Sequence, residues 1–193
     1  KTTLVPQIND LVKIRSDRPF GEIIRTILED SSGEMAVVRN VNNGIVFFHG
    51  GLKDNYSIDD WNDTREEPAA PTPANLRCAV VNSIKITIKG LTIKNTTVDY
   101  DMGPGSSTPI AIRLEYCRDL DVDVNVINFT QYSVDVRHCY NGCINANIYG
   151  AARTSGRIGD SSPGYGVSLV GTTMNLKITG TMVGCRHCVV HLG

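Results

Sequence analysis

No apolar run in this chain approaches the roughly 18–20 residues that span a bilayer. The opening Lys1-Thr-Thr-Leu-Val-Pro6 lacks the apolar stretch of a secretory signal. Insertion into a membrane is therefore not expected. Excess positive charge is also missing: 19 Lys and Arg against 20 Asp and Glu leave a net charge of −1. With no basic stripe, a nucleic-acid partner is not expected either, since phosphates require clustered Lys and Arg. Matched zinc knuckles are absent. Cys139-x-x-x-Cys143 and Cys185-Arg-His-Cys188 are not the paired C-x₂-C spacing of structural zinc. No metal and no cofactor are expected, and nothing indicates a disulfide framework. The start without Met and the stop at Leu192-Gly193 suggest a piece of a longer polypeptide, truncated at its C-terminus.

What the chain does have is a repeat. Ile110-Ala-Ile-Arg-Leu114, Tyr132-Ser-Val-Asp-Val136, Tyr165-Gly-Val-Ser-Leu169 and Cys188-Val-Val-His-Leu192 share one pattern of inward apolar and outward variable positions. They recur at intervals of 22, 33 and 23 residues. A short-strand repeat of that length signals a solenoid, because each unit buries its apolar face only against its neighbours. Second strands follow within each repeat at Leu120–Val126, Ile144–Ile148 and Leu176–Ile178. The expected fold is all-β: a right-handed, single-stranded parallel β-helix with like side chains stacked at about 4.8 Å.

Residues 1–18 carry no clear pattern and read as a lead-in, leaving 19–193 as the solenoid domain. Ile23, Ile24, Ile27 and Leu28 share one helical face, with Glu22, Arg25, Glu29 and Asp30 opposite, so a short capping helix is expected at about 20–30. Asn42-Asn-Gly44 is a turn signal and Ile45-Val-Phe-Phe48 a β-forming run. Polar stretches at about 52–76, 96–109 and 152–164 read as excursions from the wall. Insertions in solenoids gather on one side, often the binding side. Cys117 and Cys139, five residues after Ile112 and Val134, should stack as a buried corner ladder.

The helix Glu22–Asp30 followed by Asn43-Gly-Ile-Val-Phe-Phe-His-Gly50 resembles the opening of the pectate-lyase-like β-helix superfamily, although His49 stands where that pattern has Pro. Gly164-Tyr-Gly-Val-Ser-Leu-Val-Gly171 and Gly184-Cys-Arg-His-Cys188 are similar to coils of bacteriophage tailspikes and appendages. The resemblance implies a homotrimer on the virion that meets other virion proteins, attaches to the host cell by binding surface polysaccharide, and often acts as a depolymerase. The pectin-hydrolase motifs Asn-Thr-Asp, Asp-Asp, Gly-His-Gly and Arg-Ile-Lys do not accompany it. A secreted cellular polysaccharide lyase or hydrolase and a non-catalytic virion spacer remain as alternatives.

A glycosidase needs two carboxyl groups, about 5–5.5 Å apart for retention and about 6.5–9.5 Å for inversion. The outward position of the first strand reads Arg113, Asp135, Ser168 and His191, with Glu115 and Arg137 alongside. Asp135 is the first catalytic candidate, partnered by Glu115 and Asp160. Arg113, Trp61, Arg153 and Arg157 are the candidate substrate-binding residues. The plainer alternative is an exposed Arg113–Asp135 ion pair of little energetic value. Asp121 and Asp123 form a second outward pair, read as a solvated face. Tyr132 and Tyr165 read as a stacked ladder and not as a sugar platform.

Overall fold

The computed structural model describes residues 5–19, 31–52, 61–62, 71–72, 76–96, 110–129, 132–151 and 164–192. The chain forms two compact units, residues 1–82 and 83–192. Every element among the described residues is a strand or a turn.

The first unit holds β1 (Leu11–Pro19), β2 (Ser31–Asn42), β3 (Ile45–Phe48), β4 (Trp61–Asn62), β5 (Pro71–Thr72) and β6 (Leu76–Val81). Its main sheet runs β3-β2-β1-β6 with antiparallel neighbours, and β4 pairs antiparallel with β5. Val12, Ile14 and Val38 form its core, and Leu11 is also buried. Two expectations change here. The lead-in contains a central strand, because Leu11-Val-Lys-Ile14 pairs on both sides. The run Ile45–Phe48 is the second arm of a hairpin and not a strand stacked in parallel. Asn43 and Gly44 have φ of 50° and 78°, the positive pair that a tight two-residue hairpin requires. The helix expected at about 20–30 lies outside the described residues. Its expected flanks, Pro19 and Ser31–Gly33, belong to β1 and β2. Most of the three excursions also lies outside them.

The second unit holds β7 (Ile84–Lys94), β8 (Ile112–Glu115), β9 (Cys117–Ile127), β10 (Tyr132–Arg137), β11 (Tyr140–Tyr149), β12 (Tyr165–Val170), β13 (Met174–Thr179), β14 (Met182–Val183) and β15 (His187–Leu192). They build two parallel sheets, β8-β10-β12-β15 and β7-β9-β11-β13, with β14 also on β11. The first three sequence repeats each contribute to both sheets, β7 precedes them, and the last repeat gives β15 alone. Inward Ile112, Val134 and Val167 pair in register, as do Val122, Ile144 and Ile178. Burying such a side chain contributes about 1.5–3 kcal/mol, so the stacked interior is the main source of stability.

Corners repeat as faithfully as strands. Tyr116, His138 and Gly171 have φ of 53°, 49° and 61°; Asp119, Asn141 and Asn175 have 50°, 62° and 55°; Asn128, Gly150 and Gly184 have 63°, 70° and 70°. Asn, Asp and Gly tolerate this left-handed region. Tyr is unusual there, and the Tyr116 ring stacks on that of His138 with centroids 5.1 Å apart. Cys117 and Cys139 form the expected buried ladder, their thiols donating to backbone carbonyls of Glu115, Arg137 and Leu114. Thr173, buried and bonded to Val136 O and Val170 O, continues it as the next rung.

One register differs from the sequence reading. His187, not Cys188, pairs with Tyr165, so the interval is 22 residues and the outward row reads Arg113, Asp135, Ser168, Val190. A one-residue slip moves every side chain to the other face, and His191 leaves the row for the Leu169 position. Two contacts set the register. The His187 ring packs on Tyr165 at 5.2 Å, and a Cβ on Gly166 would lie 2.5 Å from Cys188 O. Tyr132 and Tyr165 are neighbours as expected, with centroids 5.8 Å apart, but their rings are tilted by 47° and half-buried, not stacked in the core.

Candidate functional site

Asp135 lies on the outward side of β10, with Arg113 beside it on β8. Nε of Arg113 and Nε of Arg137 each donate to Asp135 Oδ2 at 2.9 Å. The expectation of an exposed pair is corrected: the Asp135 side chain is 0 % exposed, while Arg113 and Arg137 are 46 % and 29 % exposed. Both faces of β10 are closed from Ser133 to Val136, so alternation along the strand does not leave this position wet. Asp135 Oδ1, Ser133 Oγ and Ser168 Oγ are buried with no hydrogen-bond partner among the described residues. Two guanidiniums on one carboxylate oxygen make a charge clamp, and a closed carboxylate in that role is poorly placed to reach a glycosidic bond.

Glu115 is exposed and pairs in register with Arg137, one step diagonal from Asp135. Strand spacing and two residues of rise put the two Cα atoms about 8 Å apart. Glu115, Arg113 and Asp135 thus share a face, as the repeat predicts. Asp160, Arg153 and Arg157 lie outside the described residues. Trp61 stands on β4 of the first unit, and only its backbone is among the described residues.

The outward face of the other sheet is different in kind. Three rows of side chains are hydrogen-bonded along the stack. Asn141 Nδ2 donates to Asp119 Oδ1 at 2.9 Å, and Asn175 Nδ2 to Asn141 Oδ1 at 2.8 Å. Asn145 Nδ2 donates to Asp123 Oδ1 at 2.9 Å, and Thr179 Oγ1 to Asn145 Oδ1 at 3.3 Å. Asn125 Nδ2 donates to Thr92 Oγ1, Asn147 Nδ2 to Asn125 Oδ1, and Thr181 N to Asn147 Oδ1, at 3.2, 3.1 and 3.1 Å. The asparagines of this face are therefore ordered in register along the stack. Two lysines of this face meet carboxylates: Lys89 bonds Asp121, and Lys85 lies 3.4 Å from Asp119; Lys94 and Lys177 are exposed on the same sheet. The Asn141 hydrogen bond, helped by Lys85, holds the Asp119 carboxyl below its ordinary value.

Beside these rows run Lys94, Ile127, Tyr149 and Val183, in register. Tyr149 is 43 % exposed. The sequence reading did not single it out. Its signal was the alternation of β11: inward Ile144, Ala146 and Ile148 leave Asn145, Asn147 and Tyr149 facing out.

Burial pushes the Cys139 thiol up to about 12 and the Cys185 thiol up to about 11. Burial raises Tyr132 as well. Among the described residues no three His, Cys, Asp or Glu side chains gather as a metal site, and no helix is long and apolar enough to cross a membrane. No protein-family model, no curated protein and no solved structure matches this chain.

Proposed function

We propose that the second unit is a right-handed, single-stranded parallel β-helix, and that the chain is part of a bacteriophage tailspike or appendage that binds host cell-surface polysaccharide. Three features support this. The strands stack in register repeat after repeat. The stretches Gly164–Gly171 and Gly184–Cys188 resemble phage coils. The outward amide and hydroxyl rows supply the hydrogen-bonding that sugars require. The last observation carries the functional reading, because fold alone does not determine function. The same reading makes the protein a homotrimer on the virion. Hydrolysis would fall to Asp135, Glu115 and Asp160. Asp135 is closed and engaged with two arginines, so binding, and not cleavage, is the activity proposed.

The test is retention of the chain on immobilised envelope polysaccharides, with released oligosaccharides measured in the same sample. Saturable retention without release is expected. No retention on any polysaccharide overturns the binding reading and leaves a structural spacer. Release that is lost in Asp135→Asn, in protein that stays folded, makes the chain a depolymerase.

A further inference from the structure

We infer that the face carrying Tyr149 and the Asn125–Asn147 row is a binding site for a neutral linear polysaccharide lying across the strands, along the stack. The inference rests on the polysaccharide reading above and adds the surface, the direction and the class of sugar. Its ground is the row from Thr92 through Asn125 and Asn147 to Thr181. There every hydrogen bond points the same way, from each level to the one before it. A primary amide offers two N–H donors and two acceptor lone pairs. The row uses one donor and one acceptor of Asn125 and of Asn147. Each half-exposed amide therefore presents one further donor and one further acceptor, repeated at the strand spacing of about 4.8 Å. Asn145 adds a parallel row one step away.

A repeating array of that kind matches a polymer that presents hydroxyl groups at regular steps, with about one sugar per strand. Tyr149 completes the site. Its half-exposed ring stands two residues from Asn147 on the same face, where an aromatic surface can cover the apolar side of a pyranose. Neutrality of the ligand follows from the row itself, which holds no charged side chain. Around it the charges are of both signs: Lys89 and Lys85 are held by Asp121 and Asp119, and Lys94 and Lys177 share the face with Asp123, so the face selects neither an acidic nor a basic polymer.

Titration calorimetry of the whole chain tests this, with neutral cello- and manno-oligosaccharides of increasing length and with oligogalacturonates as the acidic comparison. Affinity for a neutral series is expected to rise with each added sugar until the oligosaccharide outgrows the row, and then to level off. Tyr149→Ala and Asn147→Ala should each weaken it roughly tenfold, while Tyr149→Phe keeps it. Far-UV circular dichroism confirms that the variants fold. Binding of neutral sugars that ignores both alanine variants, or that does not grow with length, overturns this site and leaves the polysaccharide reading standing. Preference for oligogalacturonates overturns the neutral class. Absence of binding to either series, in a chain that is retained on envelope polysaccharide, overturns the inference alone. Absence of both overturns it together with the reading beneath it.

Discussion

Arg113 Nε donates to Asp135 Oδ2 at 2.9 Å across β8 and β10, with the carboxylate fully buried and the guanidinium half exposed. Arg137 meets the same oxygen. Removing one partner of a buried ion pair costs more than the pair itself is worth, because the other group loses its compensation. Asp135→Ala is predicted to lower unfolding stability by about 3 kcal/mol, near the low end for a buried pair because both arginines keep contact with water. Arg113→Ala, which leaves Arg137 in place, should cost about 1 kcal/mol. Denaturant midpoints at constant slope measure both. An unchanged midpoint in Asp135→Ala contradicts the clamp.

The thiols of the corner ladder should be inert in the native protein. Thiolate is the reactive species, and burial pushes Cys139 from 9.0 up to about 12. Cys188 is exposed and should react quickly with a thiol reagent at neutral pH, while Cys117 and Cys139 react only after unfolding. The buried neutral thiol also gives a pH dependence. Its contribution is complete below the ordinary thiol value of 9.0 and is lost as pH rises toward about 12. Cys139→Ala should therefore flatten the alkaline limb of the stability curve. An equally steep limb in the variant rules out this origin.

At the next corner the sign reverses. Asp119 titrates below its ordinary 3.8, chiefly through the Asn141 hydrogen bond. Its contribution is complete above the unfolded value and is lost as pH falls through the lower folded one. Asn141→Asp sets a second carboxylate against the first and should reverse the dependence: lower stability than wild type at neutral pH, with the difference shrinking as pH falls toward about 4. Thermal unfolding across this range checks it. A constant gap between the two proteins contradicts it.

Gly142 has φ of 139°, and a Cβ there would lie 2.4 Å from both the backbone N and O of Leu120. Backbone cannot move aside cheaply. Gly142→Ala should destabilise the second unit by about 3 kcal/mol or more. By contrast, Gly90→Ala meets nothing within 4 Å and should incur only the left-handed backbone strain, about 1 kcal/mol. Similar losses at the two sites contradict the steric argument.

The stacked strands were legible because alternation writes the inward face into each strand. Ile112, Val134 and Val167 stand in phase whatever surrounds them. The Cys117–Cys139 rung followed from the same phase. The last repeat was misaligned because Val189 and Val190 are both apolar, so alternation alone permits two registers. The deciding contacts, Gly166 against Cys188 O and Tyr165 against His187, are between strands. The burial of Asp135 was not legible, since what closes a face is not written in the strand that carries it. The hairpin at Asn43-Gly44 was visible as a turn. Its antiparallel partner β1 was hidden in a short run, Leu11-Val-Lys-Ile14, too brief to show a period. Tyr149 was readable in principle, one step beyond an alternation already recognised.

The most direct test of the account follows the side-chain amides of Asn125, Asn145 and Asn147 by ¹⁵N NMR while envelope polysaccharide is titrated into the chain. Saturable shifts of these Nδ2 resonances, with no change at Arg113 and Arg137 Nε, are predicted. Shifts confined to the arginine Nε signals, or no shifts at all, would contradict a polysaccharide-binding wall built on the asparagine rows.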